Sequence, residues 1–154
     1  MSNTTSTNRK TLKNLIQILH DGRDGYRQAA EQVKEPSAQH LFETLAIQRA
    51  QFAGELEPLL AEAGEDDAQD QGGTVSGAVH RGWIDLKAAL TKQDVHSILE
   101  EVERGEDSAK KAYRDALDEA DLSEDVRSVI QRQSTEVLKA HDEIRDLRDA
   151  TEKR

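Results

Sequence analysis

The chain contains no cysteine, only two prolines and only five aromatic residues among its 154 positions. Without cysteine there is no disulfide, no thiolate metal ligand and no thiol nucleophile, and a reducing cytoplasm is the compartment expected. With so little proline, long segments run without a break. A composition rich in Ala, Leu, Glu, Gln, Lys and Arg suits helices rather than sheets. No apolar run approaches the about 20 residues of a membrane span, nor the core of a signal peptide, so a soluble chain without membrane contact is expected. Positive charge is also in short supply: 21 Lys and Arg face 31 Asp and Glu, a formal net charge of −10. That balance argues against sequence-independent binding to nucleic acid, which needs a basic footprint. Arg9, Lys10 and Lys13 beside the polar opening are too few to make one.

Hydrophobic residues make up 35% of the chain and charged residues 34%, with a mean hydropathy of −0.81. The length fits one domain with one core. Apolar residues recur at heptad spacing in four segments, and each stripe is interrupted near its middle by a glycine or a polar residue. The first reads Leu12, Leu15, Leu19, Gly22, Tyr26, Ala29, Val33. The second reads Ala38, Leu41, Leu45, Gln48, Phe52, Leu56, Leu59. The third reads Val95, Ile98, Val102, Gly105, Ala109, Ala112, Ala116, and the fourth Val126, Ile130, Gln133, Val137, Ala140, Ile144, Leu147.

These stripes predict helices over Lys10–Lys34, Ser37–Glu62, Thr91–Glu119 and Glu124–Asp149. Residues 1–8, rich in Ser, Thr and Asn, read as a disordered tail, 9–150 as a single domain and 151–154 as a charged tail. Glu35 and Pro36 break the first helix from the second, with Pro36 placed to open the latter. Pro58, four residues after Gly54, predicts a kink or an early end. Thr91, with Asp94 three residues on, resembles a capping box at the start of the third helix. Ala63–Gly73 reads as a solvated acidic loop, followed by a short amphipathic helix over Thr74–Leu90. The first–second and third–fourth connections are short, so each pair is antiparallel. Roughly thirty residues separate the second helix from the third, enough for a long crossover that leaves those two parallel. The fold class is therefore all-α: a ferritin-like four-helix bundle whose crossover carries a short extra helix.

A faint internal repeat pairs Gly22-Arg23-Asp24 and Tyr26 with Gly105-Glu106-Asp107 and Tyr113. Ile47-Gln48-Arg49 is likewise matched by Ile130-Gln131-Arg132. The interruptions fall at similar depth: Gly22 and Gln48 each lie roughly 17 Å from the first turn at 1.5 Å per residue. A mid-bundle polar layer of Gln48, Arg49, Glu106, Gln133 and Glu136 is expected, with Arg49 paired to Glu106 or Glu136. Polar groups at core depth are costly unless paired or bound to something. Bundles of this kind bind iron or manganese through carboxylates and Glu-x-x-His motifs at that level. Three residues before His20, His40, His80, His96 and His141 stand Gln17, Ser37, Gly77, Gln93 and Leu138, none of them an acid. The acids of the third and fourth helices, Glu103, Glu106 and Glu136 with His141, are the one alternative ligand set. Tyr26 and Tyr113 read either as buried phenols with paired hydroxyls or as redox-active neighbours of such a metal. His80, Arg81 and Trp83 in the crossover read as a partner contact or as the anchor of that helix to the bundle.

The segment Leu12–Leu60, the crossover with its His80-Arg81-Gly82-Trp83, the string Glu103-Arg104-Gly105-Glu106-Asp107, and Ala140-His141-Asp142 before Ile144-Arg145 resemble a bacterial ferritin-like family. That family is catalogued as domain of unknown function 2383, and the likeness covers residues 10 to 149. The resemblance implies a ferritin-like bundle and brings no activity with it. Arg49 and Phe52 stand where wider ferritin-like proteins place Glu and His on the second helix, so it implies a bundle without the dinuclear centre. The expected function is a non-enzymatic cytoplasmic structural or interaction protein that self-associates, stress-associated by analogy only and needing no cofactor. The alternative is a metal-binding oxidoreductase or iron-handling protein. A DNA-protecting role is disfavoured by the charge.

Overall fold

In a computed structural model, residues 2–64 and 94–152 are described, with side chains over 4–64 and 94–151. Four helices follow one another: α1 (Ser2–Gln32), α2 (Pro36–Glu62), α3 (Val95–Leu117) and α4 (Glu124–Glu152). Among the described residues there is no strand. No helix there is long and apolar enough to cross a membrane. The loop and short helix expected between α2 and α3, from Glu65 through Leu90, lie outside the described residues, as does Thr91.

Each inward stripe is the one that the heptad spacing predicts, with a refinement on α2. The chain is packed there on Ala38, Phe42, Leu45, Ala46, Arg49, Phe52, Ala53, Leu56 and Leu60. The stripe thus turns through Arg49, and Gln48 sits half-buried at its edge. Two apolar clusters result. One gathers Leu12, Leu15 and Leu19 of α1, Phe52 and Leu56 of α2, Ala112 and Ala116 of α3, and Val126 and Ile130 of α4. The other gathers Tyr26 and Ala29, Phe42 and Leu45, Ile98 and Val102, and Ala140 and Ile144. Burying a Leu, Ile or Phe side chain contributes about 1.5–3 kcal/mol, so each cluster on its own is a substantial adhesive.

Cluster membership also gives helix direction. The starts of α1 and α4 share a cluster with the ends of α2 and α3. The helices therefore run up, down, down and up, with α2 and α3 parallel.

Local chemistry fixes the ends. Glu35 is extended at φ −73° and ψ 120°, its carboxylate accepts from the Ser37 amide at 2.7 Å, and Pro36 opens α2. The Gln39 side chain donates to the Ala30 carbonyl at the end of α1. After Ala63, Gly64 at φ 82° takes the left-handed conformation that ends helices at little cost to glycine. Across the α3–α4 turn, Arg127 donates to the carbonyls of Leu117 and Glu119 at 2.8 and 2.6 Å, closing the end of α3.

Three boundaries differ from the sequence expectation. The segment read as a disordered tail is helical from Ser2. Its weak local propensity is overridden by tertiary contact: Asn8 donates to Ser123 Oγ at 3.1 Å and accepts from the Ser123 amide at 3.2 Å. The end of α2 at Glu62 is the expected one, and Pro58 does not cut the helix short. The acceptor it forgoes belongs to exposed Gly54, whose carbonyl water can reach. At α3 the cap is Asp94, extended at φ −96°, its carboxylate accepting from Ser97 Oγ at 2.9 Å. The helix consequently starts at Val95, and at the other end α4 runs to Glu152.

Replacing Arg127 with Ala leaves two carbonyls at the end of α3 without their charged donor. A loss of about 1–3 kcal/mol is expected, read as a lower urea midpoint with an unchanged slope.

Candidate functional site

Between the two apolar clusters lies the polar layer. Arg49 on α2 reaches across the bundle diagonal to Glu106 on α3: Nη1 stands 2.8 Å from Oε2 and Nη2 donates to Oε1 at 3.0 Å. The two residues are 1% and 0% exposed, so this bidentate pair is fully withdrawn from water. Tyr26 of α1 donates its hydroxyl to Glu106 Oε2 at 2.5 Å. Its ring lies under the guanidinium, 5.6 Å from the centroid, and tilts against Phe42 at 5.9 Å. Arg49 Nε donates to the Gln48 side chain at 3.1 Å. Gly22 faces the arginine stem, and a Cβ built there would lie 3.7 Å from Arg49 Cγ. That is an ordinary van der Waals contact, so a methyl group would fit there and the arginine does not require the glycine.

One step along the bundle, Gln133 of α4 is buried and fully used. Its carbonyl accepts from Tyr113 Oη at 2.7 Å. Its amide donates to the Phe52 carbonyl at 3.2 Å and to Glu55 at 2.8 Å. Glu55 also accepts from Arg132 at 2.9 Å. α2, α3 and α4 are thus joined by one side chain.

Electrostatics follows from this burial. Burial alone pulls Arg49 down, but the charge of Glu106 outweighs it and the net shift is upward. Burial raises Tyr26 well above its ordinary value, and the charge of Glu106 pushes the same way, against the opposing pull of Arg49. Burial likewise raises Tyr113. At Glu55, burial acts upward, but the Gln133 and Arg132 hydrogen bonds prevail and its carboxyl is lowered.

The polar-layer residues named from sequence divide clearly. Arg49, Glu106 and Gln133 are in the core, Gln48 borders it, and Glu136 is half-buried on α4. Of the two acids expected to meet Arg49, it is Glu106 that does. The alternative ligand set of Glu103, Glu106, Glu136 and His141 is not brought to one point. Glu106 is spent on Arg49 and Tyr26. Glu103 pairs with Arg148, and His141 Nε2 stands 2.7 Å from Asp107 and 3.9 Å from Glu103. Among the described residues, no group of three or more His, Asp or Glu side chains is arranged to hold a metal ion. Phe52 is packed in an apolar cluster. His80, Arg81 and Trp83 lie outside the described residues.

Sequence reasoning did not assign Tyr26 to Glu106, nor Tyr113 to Gln133. One signal was present: Tyr26 lies one turn beyond Gly22 on the same stripe, at the depth of the layer. The roles of Glu55, Asp107 and Arg148 left no such mark, since all three are solvent-touching members of charged faces.

Residues 8–119, most of the chain, match the family described as domain of unknown function 2383. The chain belongs to that family. The match to domain of unknown function 2383 takes in Tyr26, Arg49 and Glu106 and ends at Glu119, so Gln133, His141 and the rest of α4 lie beyond it. No curated protein matches the chain.

Two outcomes test the layer. Arg49→Leu alone strands a buried carboxylate and should cost about 3–5 kcal/mol. Combining it with Glu106→Leu should recover most of that loss, because the double variant buries no lone charge; both are read from denaturant midpoints. The second outcome concerns alkali. Both tyrosines hold their protons above the ordinary value of 10.0 in the folded chain, whereas the unfolded chain releases them there. Their contribution is complete below pH about 10 and declines as pH rises beyond it. Tyrosinate absorbance should therefore appear only together with loss of helical circular dichroism.

Proposed function

We propose that this protein is a non-enzymatic, ferritin-like bundle with a structural or interaction role in the cytoplasm. In this reading its centre is held by an ion pair, not by iron or manganese. The observation that carries the reading is the Arg49–Glu106 contact. In a bundle with this helix order, the carboxylates of a dinuclear site would stand at this depth. Here the acid from α3 is neutralised by a guanidinium from α2, and its second oxygen also receives the Tyr26 hydroxyl. A cation introduced there would meet Arg49, a fixed like charge at the same carboxylate. The up, down, down, up order and the long connection between α2 and α3 support the ferritin-like label. With the centre serving cohesion, the surface is left as the functional part, and self-association is the interaction it supports best.

The rival reading, an iron or manganese protein using the acids of α3 and α4, makes an opposite forecast. Elemental analysis of protein from cells supplied with iron or manganese should give well under one ion per chain. That content should be unaffected by Glu106→Ala or Glu103→Gln. A stoichiometric ion that disappears with either substitution would replace this reading with the rival.

A further inference from the structure

We propose that His96 and His141 form a proton-operated clasp at the open end of the α3–α4 hairpin, closed when both imidazoles are charged and released as they lose their protons.

The two ends of this hairpin are fastened differently. At the turn, Arg127 holds the closing carbonyls of α3, and a guanidinium does not titrate in the range where histidine does. At the other end α3 begins and α4 finishes. The ties across it are His96 to Thr151, His141 to Asp107 and Glu103, and Arg148 to Glu103. Two of those three side chains are histidines, the side chain that changes charge between about pH 5 and 8.

The ring nitrogens show which form fits. A neutral imidazole offers one donor and one acceptor, a charged one two donors. His141 Nε2 stands 2.7 Å from Asp107 Oδ1 and 3.9 Å from Glu103 Oε2, and Nδ1 stands 3.7 Å from Asp142 Oδ1. Both nitrogens face carboxylates, so the neutral ring turns a lone pair toward one of them. His96 repeats the pattern. Its Nδ1 lies 3.2 Å from Thr151 Oγ1, and that hydroxyl already donates to the Arg148 carbonyl at 2.7 Å, so the ring nitrogen is the donor. Nε2 is then the nitrogen that stands 3.6 Å from Glu100 Oε2, and only the charged ring has a proton to offer there. Each ring is seated as an imidazolium.

The charged neighbours are mostly acids. His141 meets Glu103 and Asp107 of α3 and Asp142 of α4. His96 meets Glu100, with Asp94 close by, whose carboxylate accepts from the His96 amide. Two cations stand against them: Arg148 on Glu103, and Arg145 on Asp142 at 3.3 Å. Among the described residues, no hydrogen bond or ion pair reaches either ring from α1 or α2. His141 is 9% exposed, so a charge there is costly unless these carboxylates compensate it. Behind the clasp lie Ile98, Leu99 and Ile144 of the second apolar cluster. Loss of the protons loosens the first turns of α3 and the last of α4, and leaves the turn end as it was. The clasp is whole below the histidine range and is lost as pH rises through it.

Hydrogen exchange of the full chain, read by NMR as protection relative to the unfolded chain at each pH, tests this. From about pH 5.5 to about pH 8, the amides of Ile98–Val102 and Ala140–Ile144 should lose about ten-fold in protection. Those of Ala112–Ala116 and Val126–Ile130, near the turn, should hold theirs. With His96→Gln and His141→Gln together, the open end should be as weakly protected at the lower pH as the wild type is at the higher, and pH should no longer matter to it. Open-end protection in the wild type that holds or rises with pH would overturn the proposal. So would a parallel loss at both ends, or a double variant that keeps the wild-type pH response. The wild-type comparison decides even where the double variant does not fold.

Discussion

A guanidinium and a carboxylate sealed between two apolar clusters set the terms for everything else in this bundle. Removing both charges from water costs several kcal/mol for each ion before their attraction is counted. The arrangement is tolerable because no polar atom of the pair is wasted. Glu106 takes two bonds from Arg49 and one from Tyr26, while Arg49 Nε donates to Gln48. Such a pair adds little net stability over a well-packed apolar layer. What it supplies is register: α2 cannot slide by a turn against α3 without leaving both charges stranded.

The layer also divides the interior. The cluster around Leu15, Leu56 and Ile130 and the cluster around Phe42, Ile98 and Ile144 meet across polar atoms rather than across continuous hydrocarbon. Side-chain hydrogen bonds tie the helices together at this level. Tyr26 joins α1 to α3, and Gln133 joins α4 to α2 and α3. The last of these reaches a backbone carbonyl, so it senses the path of α2 itself.

The fold was legible in the sequence because heptad spacing needs only one residue in three or four to be apolar, and all four stripes obey it. The level of the polar layer was legible for the same reason, since rise per residue converts position into depth. Its membership was less so. Gln48 fits a strict seven-residue seam, but a straight helix advances 3.6 residues per turn, and that drift brings Arg49 inward and leaves Gln48 at the edge. The helical opening of α1 was hidden because Ser, Thr and Asn look alike in a tail and in a segment pinned by a distant turn. Nothing near Asn8 in the chain announces Ser123.

Because Arg49 meets its partner 57 residues later in the chain, the order of synthesis acquires meaning. The α1–α2 hairpin leaves the ribosome with a cation on the side it must eventually bury. Without α3, water is the best host for that cation, so the inward face of the hairpin cannot be fully buried until the matching acid stands opposite it.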